Sequence, residues 1–242
     1  MKKVRLMSEQ QETAGIAVPG DLLDEQGEYK SGSGTYTRDG RLYAKRMGIK
    51  NVRGDEISII ALGGVYDPVP GDLVIGIVLE HGPSNWLLDI NAPYPAPMHV
   101  NEVPWKVGFA ETSEFLEAGD AVLCKILFVD EMKKIQATMN DRNLRKLEGG
   151  ALIEVQPSRV PRVIGKKGSM LNILKQYTDV WLFVGQNGRI WLGGEEESVA
   201  IAIEAIRKIE RESHIKGLTD RIKAFLEERT GRKISDEEEE EE

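Results

Sequence analysis

The chain has 242 residues, 40% hydrophobic and 30% charged, with a net charge of -8 and one cysteine, Cys124. That length suits two or three small domains, each with its own core, and a lone cysteine excludes an internal disulfide or a thiolate zinc cluster. The longest apolar run, Ile57 to Val65, is broken by two glycines and too short to span a bilayer. Met1-Lys2-Lys3 precedes the polar Ser8-Glu9-Gln10-Gln11-Glu12 where an exported chain needs an apolar segment, so the reading is cytoplasmic, not membrane-bound. Residues 236 to 242 supply seven of the acidic charges, which leaves a nearly neutral body. That tail reads as a disordered, solvated end or as a competitor for basic surfaces. Residues 141 to 178 hold eight Lys or Arg against three acids.

Ala17-Val18-Pro19-Gly20-Asp21 and Ser31-Gly32-Ser33-Gly34 punctuate the first segment, and Leu42 to Met47 and Glu56 to Leu62 read as short strands. This predicts a small all-β module over 1–66. After the turn-rich stretch Tyr66 to Asp72, strands are predicted at Leu73 to Leu79, Asn85 to Asn91, Met98 to Val103, Ala121 to Asp130 and Lys133 to Met139. Five short strands suggest a small barrel over 67–141. Arg142 to Glu148 reads as a helical connector closed by Gly149-Gly150.

The third segment, 150–213, changes character. A strand at Leu152 to Val155 precedes helices at Ser158 to Ile164 and Ser169 to Tyr177. Two apolar runs then flank Gly185-Gln186-Asn187-Gly188, a hairpin signal, and Glu195 to Arg211 carries an apolar stripe at helical spacing. The order is β-α-α-β-β-α. Residues 214–242 hold one more short amphipathic helix, marked by Leu218, Ile222, Phe225 and Leu226, before the tail.

The chemistry concentrates in Gly165-Lys166-Lys167-Gly168, between the first two helices of that segment. Glycine permits positive φ and lets a phosphate approach with no Cβ in the way. The following helix offers free N–H groups and its positive dipole end, and the lysines add charge. A tight helix-helix turn with solvated lysines is the plain alternative. With Val163-Ile164 before it and all later elements in order, the segment resembles a KH domain. The resemblance implies that Gly165, Lys166, Lys167 and Gly168 clamp the backbone of about four unpaired nucleotides, with Arg159 and Arg162 extending the basic surface or standing as ordinary exposed arginines. Trp181, Phe183 and Trp191 are expected to pack against the helices rather than stack bases.

Residues 70 to 140 resemble an S1-type OB-fold, carried by Gly71-Asp72-Leu73-Val74-Ile75-Gly76-Ile77-Val78 and Ala137-Thr138-Met139. Such barrels bind single strands with aromatic and basic residues of one face. The resemblance makes Trp86, Lys106, Lys125, Lys133 and Lys134 candidates, and Trp86 can face either RNA or the core. Pro95-Ala96-Pro97-Met98-His99-Val100 replaces the usual glycine-aromatic-histidine stretch. For catalysis little is available. His81, His99 and His214 lie apart from metal-ligand partners, the pairs Asp67/Asp72 and Asp130/Glu131 sit in turn sequences, and no phosphate loop, nucleophile elbow or zinc motif is present. No cofactor or metal is expected.

The domain order, a multidomain chain of β-module, S1 barrel and KH domain, is similar to the non-catalytic S1/KH cap subunits of the archaeal RNA exosome. Val18-Pro19-Gly20-Asp21, Gly34-Thr35-Tyr36, Tyr66-x-Pro68 and Pro70-Gly71-Asp72-x-Val74-Ile75-Gly76 match that family's N-terminal and junction motifs. The resemblance implies an RNA-binding accessory of a 3′–5′ exoribonuclease, in three copies or mixed with a related cap protein, on a hexameric ring of phosphorolytic subunits. It places the N-terminal modules on the ring, the S1 domains around the entrance and the KH domains outside. A protein-assembly platform and a stand-alone S1/KH factor are the other readings.

Overall fold

A computed structural model describes residues 15–215 and 217–233. The polar stretch after Met1 and the acidic tail at 236–242 lie outside the described residues. The chain divides after Gly64 into two compact units.

Three turns of one design lead into strands. In Val18–Asp21, Val69–Asp72 and Glu117–Asp120 the third residue is a glycine with φ of 94°, 95° and 96°, which suits the third position of a type II turn. In each, the aspartate accepts the N–H of the first residue, at 2.8, 3.1 and 2.8 Å, and its own N–H returns to that residue's carbonyl. In each case a strand starts at the next residue, at Leu22, Leu73 and Ala121.

The first unit carries two small sheets. One orders β1 (Ile16–Ala17), β6 (Gly48–Arg53), β7 (Glu56–Ala61) and β3 (Lys30–Ser31). The other orders β2 (Leu22–Asp24), β5 (Arg41–Ala44) and β4 (Thr35–Arg38). Ala17, Ala44 and Ile59 form its small core with Leu23 against them.

In the second unit, β8 (Leu73–His81), β9 (Asn85–Asp89), β10 (Ala96–His99), β11 (Ala121–Val129) and β12 (Ile135–Thr138) form an antiparallel sheet ordered β10-β9-β8-β11-β12. Its outer strands β10 and β12 lie against each other, so the sheet curls almost into a barrel. Bulges at Val78/Glu80 and Ile126/Phe128 help it bend. Trp86, Leu88, Ile75, Met98, Leu116, Ile126 and Met139 fill it, all fully buried. The expected strand through Val103 ends at His99, whose Nδ1 accepts the Asn101 N–H at 3.2 Å and starts a 3₁₀ turn.

The expected helical connector over 142–148 is a strand, β13 (Arg145–Leu147), paired with β11. Leu144 and Leu147 have helical spacing, and both are buried. Three ladder pairings with Ala121–Leu123 satisfy this backbone better than a single isolated helical turn, which is costly to nucleate.

The remainder folds as β14 (Ala151–Glu154), a 3₁₀ turn at Pro157–Arg159, α1 (Val160–Ile164), α2 (Ser169–Thr178), β15 (Trp181–Val184), β16 (Arg189–Gly193), α3 (Glu196–Glu212) and α4 (Leu218–Thr230). The sheet order is β14-β16-β15, antiparallel throughout. Leu182, Ile190 and Leu192 point to the helices and share a core with Val163, Leu174, Tyr177 and Ile206. Leu218, Ile222 and Leu226 join α4 to the same core, each side chain contributing about 1.5–3 kcal/mol by leaving water.

Strand alternation puts Leu152, Phe183 and Trp191 on the opposite face, where they pack on the barrel's core. These aromatics were expected against the helices. Phe183 and Trp191 instead seal the sheet to the barrel, their centroids 5.7 Å apart. Trp181 packs in neither place and is 69% exposed.

Candidate nucleic-acid interface

Helix α1 ends because Gly165 leaves helical geometry, at φ 76° and ψ 175°. A Cβ there would lie 2.6 Å from the Met170 backbone nitrogen, so the chain passes too close for any side chain. Lys167 (φ 55°) and Gly168 (φ 84°) complete a left-handed reversal into α2. No side chain caps the start of α2; the Ser169 N–H turns back to the Lys166 carbonyl, and the positive end of the helix dipole still favours an anion there. Met170, Ile173, Leu174 and Tyr177 anchor α2 in the core and hold the loop in place.

Lys166, Lys167 and Arg162 are exposed and Arg159 is half-buried. None of the four makes an ion pair among the described residues. The loop therefore gathers cationic charge at the positive end of a helix, on a fixed support.

The barrel candidates separate. Trp86 is fully buried, and its Nε1 donates to the carbonyls of Thr112 and Leu116, both at 3.2 Å. It offers no ring face to a base, and of its two sequence readings the core one holds. Lys125 is half-buried and 3.7 Å from Asp141, and Lys133 binds Asp67 at 2.9 Å. Lys106 and Lys134 are exposed. The five lie on β9, β11, the β11–β12 turn and the loop after β10, so strand order alone does not bring them onto one strip.

Sequence reading missed the joint made by the β15–β16 hairpin. Asn187 is fully buried, and its Nδ2 donates to the carbonyls of Ile75 and Ile90, both at 2.9 Å. Its Oδ1 accepts the Ile75 N–H at 3.4 Å. The Gln186 N–H reaches the Leu73 carbonyl at 2.8 Å, and Asn91 Nδ2 reaches the Asn187 carbonyl at 2.8 Å.

Beside it Arg189, 3% exposed, donates from its guanidinium to Asp89 Oδ2 at 2.6 Å and to Glu154 Oε1 at 2.9 Å. Burial opposes ionisation of Asp89, but hydrogen bonds from Arg189 and the Asn91 N–H, with the arginine's charge, hold its carboxyl below the usual range. An arginine opening an otherwise apolar strand, directly after the hairpin glycine, was the available signal, since such a residue needs partners when buried.

No catalytic constellation takes shape among the described residues. Among the described residues no three His, Cys, Asp or Glu side chains are grouped to hold a metal ion. Burial pushes the Cys124 thiol up to about 12, far from a nucleophile's range. Burial and the carboxylate of Asp72, which accepts its hydroxyl at 2.7 Å, likewise raise Tyr66. Among the described residues no helix is long and apolar enough to cross a membrane.

The fold defines a multidomain protein of the S1/KH class: a β-module, an S1/OB-like barrel and a KH domain. Residues 16–53 match the family described as the exosome complex exonuclease RRP4 N-terminal region, and residues 150–198 match a KH domain family. The chain is 46% identical over 211 residues to the exosome complex component Rrp4 of Methanosarcina mazei, covering 87% of this chain and 81% of that one, and 43% identical over 219 residues to that of Thermoplasma acidophilum, covering 90% and 92%. It belongs to the Rrp4 family of exosome complex components. A crystal structure described as a candidate exosome complex RNA-binding protein superposes with a TM-score of 0.64 at 36% identity, over 69% of this chain and 97% of that one.

Proposed function

We propose that this chain is a non-catalytic RNA-binding cap of an archaeal exosome, acting in the cytoplasm. It captures single-stranded RNA and guides 3′ ends to a hexameric ring of phosphorolytic subunits, with three copies per complex or a mixture with a related cap protein. The carrying observation is the Gly165–Gly168 loop: two glycines at positive φ, two exposed lysines without ion pairs among the described residues, and an uncapped helix start. Arg159 and Arg162 extend that surface, and Lys106 and Lys134 are the barrel cations with no partner among the described residues. The names of the relatives support the assembly.

Replacing Lys166→Asp together with Lys167→Asp tests the clamp. Single-stranded RNA affinity is expected to fall at least about tenfold, and the log–log salt slope to flatten by about 1.4, the share of two phosphate contacts. Native mass measurement of the reconstituted complex should still show three caps. Unchanged RNA affinity would instead favour the assembly-platform reading. RNA degradation by the isolated chain, abolished by changing its own carboxylates, would sink the non-catalytic assignment.

A further inference from the structure

Trp181 is the one aromatic of the KH sheet that the fold does not use. It shares a strand face with Phe183, which the barrel covers, yet it remains 69% exposed. Its cross-strand partner is Gly193, which offers no side chain to pack against it. Strand β15 is also an edge of its sheet, so one row of its backbone groups has no strand partner.

Beside the indole runs an open groove of about 470 Å³, lined by Lys175, Asp179, Val180, Trp181, Leu182 and Phe183. Its rim is cationic. Lys175 is exposed with no ion pair among the described residues, and the guanidinium of Arg145 lies 4.9 Å from the centre of the Phe183 ring. The one acid, Asp179, is paired with Arg232 at 2.5 Å. Aromatic surface with unopposed cations beside it is complementary to an unpaired base and its phosphate.

Placement supports the same partner. The Gly165–Gly168 loop starts α2, whose ten residues run about 15 Å, and Trp181 follows three residues after its end. A strand held at the loop and running the length of that helix arrives at the β15 edge, where Lys175 and Trp181 line one groove.

We propose that Trp181 is a second RNA contact, stacking an unpaired base of a strand whose backbone is held at the Gly165–Gly168 loop, with Lys175 on the neighbouring phosphate. This rests on the RNA-binding reading above. An added protein strand on the β15 edge is the competing occupant, and it has no use for the cationic rim.

The test uses the full chain and two single-stranded oligouridylates, one of about four nucleotides, the span of a KH clamp, and one of about ten. Trp181→Ala should weaken the longer RNA at least about fivefold, the loss expected for one stacking ring, and leave the shorter one unchanged. Trp181→Phe should keep most of the affinity for the longer RNA. Lys166→Asp with Lys167→Asp should weaken both. An unchanged fluorescence-detected melting curve for Trp181→Ala shows that the fold is intact, as the indole's exposure requires.

If Trp181→Ala leaves the longer RNA unaffected while the lysine variant weakens it, the stacking proposal falls and the RNA reading stands. If neither variant affects RNA, both fall. Impaired joining to the exosome complex with RNA affinity intact gives the groove to a protein strand and overturns the proposal.

Discussion

The KH domain contains two Gly-x-x-Gly tetrapeptides, Gly165-Lys166-Lys167-Gly168 and Gly185-Gln186-Asn187-Gly188, and the fold uses them in opposite ways. The first is exposed at its lysines, forms no ion pair there among the described residues, and stands at a helix start that no side chain caps. The second is buried at Asn187, and that side chain makes three hydrogen bonds to the barrel backbone. Glycine spacing supplies the tight reversal in both. The two central residues decide the rest. Lysine has only donors on a strongly hydrated charge and stays in water, whereas asparagine carries a donor and an acceptor that can match backbone groups inside a joint.

The largest expected break in this contrast is Asn187→Ala. It strands the Ile75 and Ile90 carbonyls in a buried joint, and a loss of about 3 kcal/mol in denaturant unfolding is expected with little change in RNA chemistry at the other loop. Gly165→Ala comes next, at about 2 kcal/mol, because the added Cβ meets backbone and φ stays positive. Gly168→Ala, with open space around its Cβ, should cost about 1 kcal/mol by the same measurement. If the two glycine variants proved equal, the close approach to Met170 would be irrelevant.

A pH titration sharpens the comparison further. Asp89 is held below the ordinary carboxylate range in the folded state. Its contribution is therefore present above its unfolded value near about 4 and is lost as pH falls through the lower folded value. Asp89→Asn should be less stable than the parent at neutral pH, and the gap should close in acid. A gap independent of pH would show that Arg189 does not need the charge. The smallest effect on stability belongs to Lys166→Asp with Lys167→Asp, within about 0.5 kcal/mol, since both side chains are solvated.

Local features were legible in the sequence. The Gly165–Gly168 reversal, the glycine-aspartate turns and the helical stripe of α3 each depend on residues a few positions apart, where backbone sterics and periodicity act directly. The β-α-α-β-β-α order and the β-module and barrel preceding it followed from the same signals. At 142–148 that logic failed, because Leu144 and Leu147 fit a helix locally and only pairing with β11 makes them a strand.

Tertiary structure alone decided which face each aromatic serves. Trp86 went to the barrel core, Phe183 and Trp191 to the seam between sheet and barrel, and Trp181 to solvent. It also turned a hairpin with an Asn-Gly signal into a joint spanning about a hundred residues of sequence, between Asn187 and Ile75 or Ile90. A tetrapeptide specifies its own turn through sterics, but whether water or another domain covers it depends on surfaces contributed from far along the chain.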